Sequence, residues 1–213
     1  MSKHQLYIGL MSGTSADGID LALVDFSENK INIVASYYQA YDDSTHQQIT
    51  NLYQTKINEI DLAFSLDVVL AQQFAQAITN LLKQEQLTAA DIIAIGNHGQ
   101  TIRHRPNEET NVAAPFTLQI GCCQTLATLV GIRVIGQFRK KDMVLGGQGA
   151  PLVPAFHHAL FPQDPEDVFV VNIGGIANIT YLPGDKKLTI IGFDTGGTST
   201  DVAHFNASHL SSS

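Results

Sequence analysis

The residues most suited to chemistry lie in two glycine-containing turns. The first glycine turn, residues 11–20, combines two glycines with small hydroxyls and carboxylates: Gly13, Thr14, Ser15, Asp17, Gly18 and Asp20. Glycine lets backbone N–H groups approach a ligand closely, and the neighbouring oxygen atoms suit Mg²⁺, directly or through water. The pattern predicts a phosphate cradle, with Asp17 and Asp20 as candidate Mg²⁺ ligands. An ordinary hairpin loop uses the same residue types, so both interpretations stay open.

The second glycine turn, residues 172–178, contains Gly174, Gly175 and Asn178 and has the same two interpretations. Each turn opens a similar run of short apolar segments. Two such turns facing each other could hold the β- and γ-phosphates of a nucleotide from opposite sides. The pair therefore favours a nucleotide-binding function more than either turn does alone.

Four other residues carry side chains that could act on a substrate. Asp194 follows an apolar strand directly, which places it at the edge where α/β folds bind ligands. It could serve as a general base or help hold a metal, and a helix N-cap is the alternative. His98 and Gln100 could hydrogen-bond a sugar, although a lone histidine is often structural. Arg139 could meet a substrate carboxylate, although surface arginines are usually solvated.

The elements that must position these residues alternate between strands and helices. We predict strands at 6–11, 19–26, 30–38, 91–97, 116–120, 133–138, 168–173, 177–182 and 187–193, and helices at 45–58, 65–84, 124–130 and 153–160. Gly131 is the predicted C-terminal glycine of the third helix. A three-stranded meander opens both halves, and Pro162 and Pro165 mark the boundary. The predicted fold class is α/β, with a first lobe at 1–162 and the start of a similar second lobe at 163–213.

Composition narrows the class of partner. The chain has 213 residues, a formal net charge of −8, 44% hydrophobic and only 15% charged residues, so it folds and does not offer the basic surface that nucleic acid needs. No apolar run reaches the length of a membrane span, and the N-terminus lacks an apolar signal region. We expect a cytoplasmic protein with no nucleic-acid or membrane partner. The adjacent cysteines, Cys122 and Cys123, are interpreted as structural thiols.

Four blocks of sequence follow one another at residues 8–20, 98–106, 146–154 and 172–178. In this order they resemble the anhydro-N-acetylmuramic acid kinases, members of the sugar-kinase, Hsp70 and actin superfamily, and the resemblance runs from about Leu6 to Gly196. It implies an actin-like, ribonuclease H-like ATPase fold with two lobes. It also implies that ATP, water and 1,6-anhydro-N-acetylmuramic acid give N-acetylmuramic acid 6-phosphate and ADP in cell-wall recycling.

The resemblance also implies roles for individual residues. The segment from Gly13 to Asp20 would be the first phosphate loop, with ATP and Mg²⁺ as ligands, and the second glycine turn would be the second phosphate loop. Asp194 would take a proton from the attacking water. His98, Gln100 and Arg139 would contact the small anhydro amino sugar. A homodimer is also expected, because surfaces in this family often pair.

The chain departs from the family pattern at several positions. Cys122 and Gln137 stand where the family usually has aspartates, and Gly197-Thr198-Ser199 replaces the expected Pro-Gly-Asn. We expect the tail beyond Gly196 to diverge from the family and the remainder of the second lobe to be missing. Very weak or no catalysis is the expectation for this short chain. A non-catalytic sugar-binding module and an interaction fragment are the alternatives.

Overall fold

The computed structural model describes residues 5–27, 31–106, 113–161, 166–173, 177–184, 190–196 and 199–205. The chain divides into two compact units. The first unit contains Met1–His104 and Thr117–Gln137, and the second contains Arg105–Phe116 and Phe138–Ser213. This geometric division falls elsewhere than the predicted lobe boundary near residue 162, and the division into lobes at 1–162 and 163–213 stays a prediction.

The first unit is built on a mixed sheet. Its strands are β1 (Leu6–Ser12), β2 (Gly18–Asp25), β3 (Asn32–Ala40), β4 (Ile92–Arg105), β5 (Phe116–Ile120) and β6 (Val134–Gly136). The strand order is β3-β2-β1-β4-β5, and β6 pairs with β4. β1, β2 and β3 form the predicted antiparallel meander, while β4 runs parallel to both β1 and β6. The mixed α/β fold class is thereby confirmed.

Three helices accompany this sheet: α1 (Asp43–Asn51), α2 (Glu59–Gln84) and α3 (Cys123–Val130). α2 begins six residues before its predicted start. The predicted apolar stripe is buried at Leu66, Leu70, Phe74, Ile78, Leu81 and Leu82. Val69, which the prediction placed in that stripe, is instead exposed, because it lies off the face that packs into the core.

α2 is the one helix in the described part of the chain that is long and apolar enough to cross a membrane, judged by length and composition only. Ten of its residues are buried, and they belong to the same hydrophobic cluster as Leu6, Ile8 and Leu10 of β1. Packing in the core of the unit accounts for the apolar composition of this helix.

The second unit has an antiparallel sheet of four strands. They are β7 (Val168–Ile173), β8 (Ala177–Leu182), β9 (Ile190–Gly196) and β10 (Ser199–Phe205), in the order β10-β9-β8-β7. β7 and β8 lie at their predicted positions, and β10 was not predicted. β9 extends to Gly196, past its predicted end at residue 193, and residues 187–189 of the predicted strand lie outside the described residues. The helix α5 (Val153–Leu160) lies against this sheet, with His157 Nδ1 at 2.8 Å from the Thr180 hydroxyl.

The segment after β6 differs from the prediction. The predicted strand 133–138 is reduced to three residues, because Gln137 adopts a left-handed φ of 59° that no strand continues through. A helix that was not predicted, α4 (Phe138–Val144), follows at once. Arg139 therefore lies on a helix and not at the end of a strand.

Two glycines provide a matched test of the close packing around β4. Gly99 and Gly131 both have left-handed φ, 71° and 68°, but a Cβ at Gly99 would lie 2.6 Å from the Ile120 carbonyl oxygen, whereas at Gly131 it would meet nothing within 4 Å. Gly131 is the C-cap of α3, as predicted.

Gly131→Ala should cost about 1 kcal/mol of unfolding free energy, and Gly99→Ala roughly 1–3 kcal/mol more. Urea denaturation measures both, and equal losses would contradict the close contact.

Candidate phosphate-binding site

The first glycine turn connects β1 to β2 at the C-terminal end of β1. Its shape is closed by a hydrogen bond from the Ala16 N–H to the Gly13 carbonyl at 3.0 Å. Ala16 has a left-handed φ of 54° and is fully buried, while Thr14, Ser15 and Asp17 are exposed around it. The apolar side chain thus anchors the turn in the protein, and the polar side chains remain at the surface.

Side chains from distant parts of the sequence contact the carbonyl oxygens of the turn. Tyr53 Oη donates to the Thr14 carbonyl at 2.8 Å, and Gln100 Nε2 donates to the Gly13 carbonyl at 3.0 Å. Tyr38 Oη donates to the Asp17 carbonyl at 3.0 Å, and the Tyr41 N–H donates to the same oxygen at 2.9 Å. The carbonyls of Gly13, Thr14 and Asp17 therefore accept hydrogen bonds from protein groups.

Two backbone N–H groups of the turn, unlike these carbonyls, have no hydrogen-bond partner among the described residues. Within the described residues, no acceptor takes the N–H groups of Thr14 and Ser15. Consecutive backbone N–H groups in a tight turn form concave sites that bind anions. In this turn the Gly13, Thr14 and Asp17 carbonyls are bound, while the Thr14 and Ser15 amides lack an acceptor among the described residues. These two amides can donate hydrogen bonds to an anion such as phosphate.

Two carboxylates stand beside these amides. The Ser15 hydroxyl donates to Asp17 Oδ1 at 2.7 Å, and partial burial together with the charge of Asp17 raises the pKa of Asp20 above its usual value. A cation beside the two carboxylates would relieve this repulsion. The described residues contain no group of three or more His, Cys, Asp or Glu side chains that could hold a metal alone. The donor set fits Mg²⁺, which keeps waters and phosphate oxygens among its ligands.

Tyr41 and Tyr53 are neutral donors near these acids. Burial, reinforced by the charge of Asp17, raises the pKa of Tyr53 to about 12, and burial also raises the pKa of Tyr41. Both hydroxyls therefore stay protonated at neutral pH. Sequence reasoning missed these tyrosines and Tyr38, because their contacts with the turn depend on strand pairing and helix packing, not on a local motif.

The predicted sugar-contact residues of β4 lie in different surroundings. His98 is half-buried, with Nδ1 at 2.9 Å from the Gly99 carbonyl oxygen, while Gln100 is fully buried. Gln100 lies against the first glycine turn, so the structure brings this residue together with Gly13. Direct contact of His98 and Gln100 with a sugar stays a prediction.

In the second unit, Arg139 joins the glycine-rich loop that follows its helix. Arg139 Nη1 donates to the Gly149 carbonyl at 2.8 Å, and the Gly149 N–H donates to Asp142 Oδ2 at 2.7 Å. A Cβ on Gly147 would collide with the Asp142 carboxylate. The loop is thus folded around α4, and a substrate contact of Arg139 stays a prediction.

Asp194 and Asn178 are register partners on β9 and β8. The backbone of the second unit therefore places a predicted base and a predicted phosphate-loop residue at the same level of one sheet. Gly174 and Gly175 lie outside the described residues, so the second phosphate loop and its role stay predictions.

Cys122 and Gln137, where the resemblance implies aspartates, lie at backbone features. Cys122 is the N-cap of α3, and its Sγ accepts a hydrogen bond from the Thr125 N–H at 3.5 Å. Gln137 occupies the left-handed residue between β6 and α4. Aspartate is favoured both as an N-cap and in left-handed conformations, so each substitution changes local backbone support as well as charge.

The fold is that of a mixed α/β protein with a glycine turn at a strand end whose Thr14 and Ser15 amides lack an acceptor among the described residues, and similarity to known proteins identifies its family. The family model described as "Anhydro-N-acetylmuramic acid kinase" matches residues 5–208. The chain belongs to this family. The match continues beyond Gly196, so the predicted divergence of the whole tail is wrong through residue 208.

Individual relatives agree with this assignment. An anhydro-N-acetylmuramic acid kinase of Colwellia psychrerythraea is 65% identical over 199 residues, covering 92% of this chain and 49% of the relative. The corresponding protein of Saccharophagus degradans is 51% identical over 194 residues, covering 91% of this chain and 52% of the relative. The chain spans about half the length of the curated relatives it matches.

Similarity to solved structures is weaker. A Ppx/GppA family member from Aquifex aeolicus has a TM-score of 0.40 and 13% identity, covering 91% of this chain and 52% of that chain. A reductive activator for a corrinoid, iron-sulfur protein has a TM-score of 0.44 and 15% identity, covering 92% of this chain and 32% of that chain.

The coupling between the two carboxylates of the turn can be measured. In Asp17→Asn, the pKa of Asp20 should fall but stay above its usual value, because burial is the larger cause of the shift. A raised folded-state pKa contributes stability below the ordinary aspartate pKa, and this contribution is lost as the pH rises through the folded-state pKa. The pH range between the ordinary aspartate pKa and the folded-state pKa of Asp20, over which this stability is lost, should therefore be narrower in Asp17→Asn.

Carbon-detected NMR titration of the Asp20 carboxyl measures this shift. Asp61→Asn is the control, because it removes one negative charge from the exposed first turn of α2. An Asp20 pKa that moves equally in both variants would show that Asp17 has no specific effect.

Proposed function

We propose that this chain carries the ATP-binding and sugar-phosphorylating function of its family. The substrate is 1,6-anhydro-N-acetylmuramic acid, and the products are N-acetylmuramic acid 6-phosphate and ADP. The observation that supports this proposal is the first glycine turn, whose carbonyls are bound by tyrosine and glutamine side chains while the Thr14 and Ser15 amides lack acceptors among the described residues. Use of ATP implies a cytoplasmic reaction, in cell-wall recycling.

In this proposal the open amides hydrogen-bond the terminal phosphates of ATP. Asp17 and Asp20 hold Mg²⁺ together with phosphate and water oxygens, and the ion supplies neutralisation of charge on the transferring phosphoryl group. Phosphoryl transfer depends mainly on positioning and electrostatic stabilisation, which fixed backbone donors supply. The second glycine turn, with Gly174, Gly175 and Asn178, is the proposed second phosphate loop.

Asp194 is the proposed general base. It takes a proton from a water molecule as the water oxygen bonds to the anomeric carbon of the sugar. The bond from that carbon to O6 breaks, O6 bonds to the γ-phosphorus, and the bond to the ADP oxygen breaks. His98 and Arg139 are the proposed contacts to the sugar, whereas Gln100, the third predicted contact, is fully buried against the first glycine turn. The reaction uses one ATP and one water for each sugar.

A non-catalytic sugar-binding or interaction fragment is the second candidate. The observation that favours it is the replacement of two family aspartates by Cys122 and Gln137, at backbone positions next to the sheet of the first unit. Such a fragment would bind the sugar without binding Mg-ATP. The homodimer expected from the family belongs to either candidate, and light scattering of the purified chain measures it.

An assay of ADP release separates the two candidates. The full chain with Mg-ATP should release ADP only when 1,6-anhydro-N-acetylmuramic acid is added, more slowly than the roughly 1–10³ per second of ordinary enzymes. Asp194→Asn should lower this sugar-dependent rate by about 100-fold or more, because it removes the base. Asp167→Asn is the control, since Asp167 is an exposed acid of the second unit that accepts from the Gly184 N–H and also interacts with the Tyr181 hydroxyl.

Calorimetric titration of the sugar and of Mg-ATP completes the test. Sugar binding without Mg-ATP binding, combined with no sugar-dependent ADP release, would overturn the kinase proposal and favour the sugar-binding fragment. Equal activity of Asp194→Asn and wild type would overturn the role of Asp194.

A further inference from the structure

We propose that Gln100 is a positioning residue for the first glycine turn, acting from within the protein as the centre of a polar clamp formed by Ser12, Tyr53 and Gln100. The clamp fixes the backbone that presents the Thr14 and Ser15 amides. The inference rests on the proposed phosphate-binding function of the turn. It gives Gln100 a role that needs no contact with substrate.

The amide of Gln100 has partners at both of its polar atoms. Nε2 lies 3.0 Å from the Gly13 carbonyl oxygen and 3.2 Å from the Thr101 carbonyl oxygen. Both of these partners can only accept, which fixes the orientation of the amide group, with nitrogen towards the turn. Ser12 Oγ lies 2.5 Å from Oε1 on the other side. Because Gln100 is fully buried, water cannot replace any partner that is lost.

Ser12 extends the clamp into the strands. Its single hydroxyl proton goes to Gln100 Oε1, the nearest acceptor at 2.5 Å, while Oγ lies 3.2 Å from the Gly18 carbonyl oxygen and 2.9 Å from Tyr41 Oη. With that proton used, Tyr41 is the donor in the contact between the two hydroxyls. Ser12 is 1% exposed, so this network is buried as well.

Tyr53 is the second arm of the clamp. Its hydroxyl donates to the Thr14 carbonyl at 2.8 Å and lies 3.2 Å from Gln100 Nε2. The segment that carries Tyr53 is held in turn by Arg103, whose guanidinium donates to the Leu52 carbonyl at 3.2 Å and to Glu59 Oε2 at 3.0 Å. Gln100 acts on the turn directly and Arg103 acts through Tyr53, so one strand fixes the turn at two points.

Positioning of this kind matters because fixed backbone donors bind an anion well only when they need no rearrangement. Two consecutive amides on a loose turn would have to be ordered by the ligand itself. Gln100 and Tyr53 remove that cost by holding the carbonyls of the two residues that precede the open amides, Gly13 and Thr14. Loss of the clamp should therefore weaken nucleotide binding more than it changes the fold of the unit.

The test uses the full chain and two glutamine variants. Gln100→Leu removes the clamp, and Gln73→Leu is the control, because Gln73 also bonds through Nε2 to a distant residue of the same unit, Thr45 at 3.0 Å. NMR-detected hydrogen exchange reports the turn through the Ala16 amide, which bonds the Gly13 carbonyl. Exchange at Ala16 should accelerate about tenfold or more in Gln100→Leu, corresponding to about 1.4 kcal/mol of local opening free energy, while Ile8 on β1 keeps its protection.

Calorimetry with Mg-ATP is the second measurement. The dissociation constant should rise about tenfold or more in Gln100→Leu and stay unchanged in Gln73→Leu. Tyr53→Phe is a milder variant that keeps the ring and can replace Gln100→Leu in the test if that variant does not fold. It should also accelerate exchange at Ala16 and raise the dissociation constant for Mg-ATP.

The outcomes separate the clamp from the function it serves. Wild-type protection of Ala16 in both Gln100→Leu and Tyr53→Phe would overturn the clamp, whatever the nucleotide affinity. Loss of that protection with unchanged Mg-ATP affinity would overturn the positioning role. Loss of protection in a chain whose wild type does not bind Mg-ATP would support the clamp and contradict the proposed phosphate site.

Discussion

The first unit depends on how one turn satisfies its backbone polar groups. A backbone carbonyl that the fold turns away from solvent needs a hydrogen-bond donor from the protein. Gln100 supplies one to the partly buried Gly13, 87 positions away, and Tyr53 supplies one to Thr14, 39 positions away, at the exposed side of the turn. The same arrangement leaves the Thr14 and Ser15 amides without an acceptor in the described part of the molecule. These hydrogen bonds thereby support the backbone on which the proposed anion site depends.

Much of the fold follows from local patterns. The apolar segments 6–11 and 19–26, separated by turn residues, predicted β1 and β2, and the stripe ending in Leu81 and Leu82 predicted α2. The helix α4 was missed because the left-handed Gln137 ends a strand without glycine or proline to signal it. Composition is a poor guide where a single backbone dihedral decides the element.

The candidate site was predictable in part, for a physical reason. Glycine, hydroxyl and carboxylate residues mark the first glycine turn in the sequence, because they are what such a turn needs locally. The role of Gln100 was not visible, since its partners Ser12 and Tyr53 are distant in the sequence and meet only after β1 pairs with β4. The family resemblance implies that Gln100 contacts a ligand, and only the packing shows that Gln100 is buried beneath the first glycine turn.

Whether the Thr14 and Ser15 amides bind phosphate is best tested by the chemical shifts of backbone amides during a titration of the full chain with Mg-ATP. We expect the Thr14 and Ser15 N–H signals to move most, with a single affinity, while amides in the middle of α2 keep their shifts. Binding of Mg-ATP that leaves the Thr14 and Ser15 signals unchanged would show that these amides are not the phosphate donors.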